Sequence, residues 1–163
     1  MKTITSLAPR SNTSNAILKT LVDQLVDSSL VVAEKNGSQI VNEVPENLRI
    51  NSNENAITFV INGLLHAMVS NTEDGCIRIS AKEIYEGMIE ISVKDNNCCH
   101  TYAVACDLQE MVPQAEKIGG SLNISNQRQS ITTISFRFPV IMQEHESVVT
   151  RTDDFYGEEL FYA

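Results

Sequence analysis

Apolar residues recur at two periods along the chain, and each period predicts a different kind of element. Segments 16–35, 53–70 and 104–118 repeat apolar residues at the spacing of a helix that buries one face. Segments 76–85 and 88–95 alternate apolar and polar residues, as strands with one buried face do. Shorter strands are expected over 39–44, 122–125 and 130–140, and 48–50 reads as a short strand or an extended lead-in.

The resulting order is α-β-α-β-β-α-β-β. Hairpins combined with helices that do not alternate strictly with strands favour an α+β fold. We therefore expect a two-layer α/β sandwich. One layer is a mixed, mostly antiparallel sheet of about five strands, and the other consists of three helices that cover one face of the sheet.

Polar and glycine-containing stretches predict where the first two helices begin and end. Asn12, Ser14 or Asn15 is expected to cap the first helix. Gly37 is expected to end it in the left-handed conformation. Asn53 is among the residues that supply the cap of the second helix.

Inside the helices, a stripe containing Phe59, Val60 and Leu64 is expected to belong to the core. Gly63 costs about 1 kcal/mol relative to alanine within a helix, and close approach of another backbone would explain it. Pro113 is expected to kink the third helix or shift its start.

Composition indicates one globular domain, because 42% of the 163 residues are hydrophobic. No apolar run approaches the ~20 residues of a membrane span, and no signal peptide is evident, so a cytoplasmic location is expected. The net charge of -9 argues against nucleic acid as a partner. The four cysteines lack Cys-x-x-Cys spacing and are expected to be reduced thiols.

Three regions are expected along the chain: a flexible leader over 1–13, a domain over 14–141 and a C-terminal tail over 142–163. The tail has a net charge of -5, with six acidic residues and Arg151. It also carries four aromatic residues, Phe155, Tyr156, Phe161 and Tyr162. Two interpretations remain open: the tail folds back over the domain as a short helix, or it is a docking segment for a partner.

Four strings, in order over residues 16–140, resemble the histidine-kinase-like ATPase superfamily. Its Bergerat fold is shared by the catalytic domains of sensor histidine kinases. The strings are Val44-Pro45-Glu46-Asn47-Leu48 followed by Asn53; Asn62-Gly63-Leu64-Leu65-His66-Ala67, similar to the asparagine box; Ile89–Asn97, similar to the strand entering the first glycine box; and Ala115–Ile124 with Thr132–Pro139, similar to the closing turn and strand.

The resemblance implies a nucleotide pocket, and it assigns positions in that pocket to five residues. Asp95 stands where the family's carboxylate accepts a hydrogen bond from the adenine amino group. Thr132 matches a threonine near the base, and Asn62 matches the first asparagine of the box. His66 stands where an asparagine holds magnesium, and Asn97 stands where the first glycine box has a glycine.

Several of these positions depart from the family pattern. Magnesium prefers oxygen ligands, whereas the imidazole of His66 suits zinc or copper better. Cys99 replaces a second glycine of the first box, and Ala105 and Asp107 replace glycines of the second. Asp107 would bring a carboxylate beside the phosphates, where a cradle of amides is needed.

Structural interpretations compete with these assignments. Asp95 is either a base-recognising acid or the polar end of a strand. His66 either contacts a ligand or a metal, or is a hydrogen-bonded histidine in a filled pocket. A soft-metal site formed with the nearby cysteines and His100 lacks ligand spacing, so we assign no metal site and no catalytic residue.

The resemblance therefore favours a stand-alone degenerate histidine-kinase-like ATPase domain in bacterial signal transduction. It would act through protein–protein interaction with a kinase, a receiver or a regulatory domain, or as a homodimer, and its binding of ATP and Mg would be lost or weakened. The alternative is a functional ATP-binding histidine or serine protein kinase module of a two-component or partner-switching system. A third hypothesis is a binder of another small molecule in the remodelled pocket.

Overall fold

A computed structural model describes residues 15–51, 53–85, 87–97, 100–128 and 130–140. The helices are α1 (Leu18–Lys35), α2 (Glu54–Ser70), α3 (Thr101–Leu108) and α4 (Val112–Lys117). The strands are β1 (Ala16–Ile17), β2 (Gln39–Asn42), β3 (Arg49–Ile50), β4 (Cys76–Tyr85), β5 (Met88–Asp95), β6 (Ser121–Gln127) and β7 (Ile131–Pro139). The expected leader over 1–13 and the C-terminal tail lie outside the described residues.

The main sheet has five strands in the order β2-β4-β5-β7-β6. β2 pairs with β4 in parallel, and the other neighbours are antiparallel. The helices cover one face of this sheet, which confirms the predicted two-layer α+β fold. β1 and β3 form a separate antiparallel pair.

The core lies between the sheet and the helices. Alternate residues of β4, β5 and β7 point into it, as their period-two pattern predicts. Phe136 and Phe138 are fully buried, and their ring centroids are 4.9 Å apart. Burying each such ring contributes about 1.5–3 kcal/mol.

Two of the predicted helix boundaries are confirmed. The Asn53 side chain accepts a hydrogen bond from the Ala56 N–H at 3.2 Å and so caps α2. Gly37 has a φ of 68°, the left-handed conformation expected at the end of α1.

The predicted start of α1 is wrong. α1 begins at Leu18, and the capping position is Ile17, which makes no side-chain capping hydrogen bond. Asn15 is therefore not the cap, and the other two predicted caps lie outside the described ranges. The reason is the pairing of β1 with β3, because the Leu18 N–H donates to the Leu48 carbonyl at 3.0 Å and holds this segment extended.

The single helix predicted over 104–118 is two helices. α3 starts earlier, at Thr101, and the chain turns after Leu108 before α4 begins. Pro113 lies in the first turn of α4, where a missing N–H breaks no hydrogen bond. Pro113 thus lies at the start of a separate helix and does not kink a single one.

Phe59 is not a core residue. Its side chain is 49% exposed, whereas Val60 and Leu64 of the same stripe are fully buried. Val31, near the end of α1, is likewise exposed.

In the described part of the chain, no helix is long and apolar enough to cross a membrane. Cys76 and Cys106 are free thiols, in agreement with the prediction for these two cysteines. Cys98 and Cys99 lie outside the described residues.

Candidate functional site

Asp95 ends β5 and is buried at the centre of the candidate site. Its Oδ2 accepts hydrogen bonds from the Thr72 hydroxyl and the Asn97 backbone N–H, both at 3.2 Å. Its Oδ1 has no hydrogen-bond partner among the described residues. Gly75 leaves the space for this carboxylate, because a Cβ there would lie 2.7 Å from Oδ1.

Burial raises the pKa of the Asp95 carboxyl above its ordinary value. Hydrogen bonds from the backbone of Asn97 and Asn96 and from Thr72 oppose this rise, because they favour the charged form. Desolvation dominates, so ionisation of Asp95 is less favourable in the folded chain than in water.

Thr132 lies directly across the β5–β7 pair from Asp95 and is fully buried. Its hydroxyl is 2.9 Å from the hydroxyl of Thr101, at the start of α3. The Thr101 hydroxyl also accepts a hydrogen bond from the Asn126 side chain at 2.6 Å. These contacts tie the start of α3 to the sheet directly beside the acid.

Asn62 and His66 lie one turn apart on α2, and both are exposed. They line a groove of about 360 Å³ between α2 and the segment from α3 to α4. The other residues of this groove are Phe59, Gly63, Cys106, Asp107, Glu110 and Met111. Because His66 is exposed at this groove, its interpretation as a histidine in a filled pocket is wrong.

Gly63 forms part of the wall of this groove and is covered by Met111. A Cβ at Gly63 would lie 2.7 Å from the Met111 Cγ. The close approach that explains a glycine within α2 therefore comes from a side chain, not from another backbone as the sequence had suggested.

Asn97 lies in a second cavity, a cleft of about 190 Å³ shared with Asn71, Glu73, Asp74 and His100. Its side-chain amide donates to the Glu73 carbonyl at 2.9 Å. A hydrogen bond links the cleft to the groove, because the Asn71 amide donates to Asp107 Oδ2 at 3.0 Å.

The five residues assigned from the sequence thus fall in three adjoining places. Asn62 and His66 face the groove, Asn97 faces the cleft, and Asp95 and Thr132 are buried in the sheet beside them. Within the described ranges, no three His, Cys, Asp or Glu side chains are arranged to hold a metal ion.

Sequence reasoning missed Asn71, Thr72 and Met111. Thr72 holds the acid, Asn71 bridges α2 to α3, and Met111 covers Gly63. Each makes its contact with a residue distant in sequence, and hydrophobic periodicity carries no signal for such a contact.

Comparison with known proteins locates this architecture among solved structures. The sequence matches no protein-family model and no curated protein. Full-length ShkA in complex with AMPPNP superimposes with a TM-score of 0.68 at 17% identity, over 78% of this chain and 31% of ShkA. The catalytic domain of the histidine kinase ThkA gives a TM-score of 0.62 at 16% identity, over 78% of this chain and 95% of that domain.

The Acinetobacter baumannii histidine kinase AdeS gives a TM-score of 0.67 at 12% identity, covering 79% of this chain and 68% of AdeS. The chain thus spans about a third of full-length ShkA but nearly the whole ThkA catalytic domain. At these identities the similarity concerns the fold, and the chain has the histidine-kinase-like ATPase fold of histidine kinase catalytic domains.

Proposed function

We propose that this chain is a degenerate histidine-kinase-like ATPase domain that acts in signal transduction by binding other proteins, with ATP and magnesium binding lost or weakened. The observation that carries this proposal is the chemistry of the groove between α2 and the α3–α4 segment. Asp107 and Glu110 are in its lining, and no lysine or arginine is among the described residues that form it.

A magnesium-bound triphosphate does not fit this set of side chains. Phosphate sites in proteins present amide N–H groups or cations, and carboxylates repel the phosphate oxygens. His66 offers a nitrogen where the resemblance implies an oxygen ligand for magnesium. Met111 also lies over Gly63, in the wall of the groove.

The position of Asp95, the residue expected to recognise adenine, also argues against nucleotide binding. Asp95 is fully buried and its Oδ1 lies against Gly75, so this oxygen is not accessible to an adenine amino group in this arrangement. Thr72 and the Asn97 N–H already occupy Oδ2. Recognition of adenine by Asp95 would therefore require the residues around this carboxylate to move.

The same region offers a surface for protein contact. Phe59 lines the groove and is 49% exposed. Tyr102 is 85% exposed and lies on α3 one turn before Cys106, which also lines the groove. Exposed aromatic side chains are frequent anchors of protein interfaces. A structure of ThkA in complex with the response regulator TrrA has a TM-score of 0.57 to this chain at 17% identity, over 78% of this chain and 41% of that one. It supports a receiver protein as the class of partner.

Calorimetric titration of the full chain with ATP and magnesium tests the proposal. We expect no saturable binding, or a Kd weaker than about 1 mM. ShkA, whose structure contains AMPPNP, is the positive control. His66→Asn is the matched variant: because the carboxylates and Met111 remain, it should not restore tight binding. Micromolar, magnesium-dependent binding by the unmodified chain would instead support the active kinase alternative.

A further inference from the structure

The face of the sheet turned away from the helices is built from three cross-strand rows, which we call the outer face. The rows follow from the register of β4, β5, β7 and β6. They are Arg78-Lys94-Thr133-Ser125, Ser80-Ser92-Ser135-Asn123 and Lys82-Glu90-Arg137-Ser121. The middle row consists of small polar side chains, so it forms a trough between two rows that carry charges.

The outer face is cationic although the chain as a whole is acidic. It holds Arg78, Lys82, Lys94 and Arg137, four of the twelve lysine and arginine residues in a chain of net charge -9. Glu90 is the one acid in the rows. It contacts Arg137 at 2.6 Å and Lys82 at 3.5 Å.

The third row is therefore partly neutralised, whereas one of the two cations of the first row has no acidic partner among the described residues. Arg78 pairs with Glu43, which follows β2. Lys94 lies directly across from Arg78 and forms no ion pair with any described residue. Like charges on opposed positions destabilise a strand pair, so this row favours a negative partner.

The C-terminal tail has the complementary chemistry. It combines six acidic residues and one arginine with four aromatic rings. It follows β7, the strand that carries Arg137, and the Val140 N–H donates to the Gly87 carbonyl at 2.7 Å at that end of the sheet. An extended segment of this length reaches up to about 70 Å, whereas four strands span only about 15 Å.

We propose that the C-terminal tail, residues 142–163, binds the outer face of its own sheet. Its carboxylates pair with the cationic rows, and its aromatic rings lie along the trough and the apolar stems of the arginine and lysine side chains. The groove beside α2 is the wrong site for this segment, because Asp107 and Glu110 would repel it. The bond is electrostatic, so salt or a competing acidic protein surface releases it.

Nuclear magnetic resonance of the full chain tests this proposal. In low salt we expect backbone order parameters above about 0.6 for the tail. Nuclear Overhauser contacts should join the rings of Phe155 and Tyr156 to protons of Ser92 and Ser135. Raising the salt from about 0.01 M to about 1 M should abolish both signals.

Two charge reversals provide the matched comparison. Lys94→Glu should lower the order parameters of the tail and remove its contacts, since it reverses the unpaired cation of the outer face. Lys35→Glu makes the same change in the last turn of α1 and should leave the tail signals as they are. Unchanged signals from the buried rings of Phe136 and Phe138 would establish that both variants are folded.

Three results would overturn the proposal. The first is a tail with low order parameters in low salt. The second is an ordered tail that does not respond to Lys94→Glu, which would assign it to another surface. The third is order that depends on protein concentration, which would assign the tail to the sheet of a second copy.

Discussion

Two glycines of the candidate site should differ in how much stability the same substitution to alanine removes. A Cβ at Gly75 would lie 2.5 Å from the Thr72 Cγ2 and 2.7 Å from the Asp95 Oδ1, and both neighbours are fully buried. A Cβ at Gly63 would meet the side chain of Met111, which is long, unbranched and only half-buried. The first site cannot yield without disturbing the core, whereas the second needs only one side chain to rotate.

The expected change in the free energy of unfolding follows from these neighbouring side chains. Gly75→Ala should lower the free energy of unfolding by about 2–4 kcal/mol, of which overpacking accounts for about 1–3 and the disturbed Thr72–Asp95 hydrogen bond for about 1. Gly75 does not have a positive φ, so backbone strain adds nothing. Gly63→Ala gains about 1 kcal/mol of helix propensity and loses a similar amount as Met111 leaves its rotamer.

Urea unfolding followed by circular dichroism measures both changes, provided that the slope m stays constant between variants. We expect Gly63→Ala to fall within about 1 kcal/mol of the unmodified chain. The double variant Gly63→Ala, Met111→Ala is the control, because it removes the steric conflict at that site. Two results would refute this reasoning: equal losses of stability for the two alanine variants, or a loss below about 0.5 kcal/mol for Gly75→Ala. Either would mean that Thr72 and Asp95 move aside as easily as Met111.

Two further predictions concern charged groups. The pKa of Asp95 is raised in the folded chain, so its contribution to stability is complete below its unfolded pKa and is lost as the pH rises through the folded value. The stability of Asp95→Asn relative to the unmodified chain should therefore increase as the pH rises above about 4, the ordinary pKa of an aspartate. Parallel profiles of stability against pH for the two chains would contradict this. The pKa of Glu90 is lowered, chiefly by its hydrogen bond to Arg137, so its contribution is present at neutral pH and is lost as the pH falls through the folded value. Glu90→Gln should cost about 1 kcal/mol at neutral pH, reduced by salt because Arg137 and Lys82 are exposed, and an unchanged urea midpoint would show that the bond contributes nothing.

Much of the fold could be predicted from the sequence, because its strongest signals are local. The alternation in β4, β5 and β7 reports which side of each strand faces the core, and Asn53 marks the start of α2 without reference to any distant residue. Periodicity and turn signals supplied the order of the elements, and the resemblance supplied the positions of the five candidate site residues.

The errors have a common physical cause. Periodicity reveals that a stripe is apolar but not how much of it a neighbouring element covers, so Phe59 was assigned to the core although it is exposed. Two-residue strands such as β1 and β3 are too short to show any period, and their pairing moved the start of α1. Whether Asp95 can reach a ligand depends on Thr72 and Asn97, which close around it only in the folded chain.

The place of β7 within the sheet has a consequence for the order in which the protein is made. β7 pairs with both β5 and β6, although it is the last strand of the described chain to be synthesised. Until β7 leaves the ribosome, only β2, β4 and β5 of the main sheet can pair, and β6 has no neighbouring strand. Domains generally fold as units during synthesis. The main sheet of this domain is therefore completed in one late step, when β7 pairs with β5 on one side and β6 on the other.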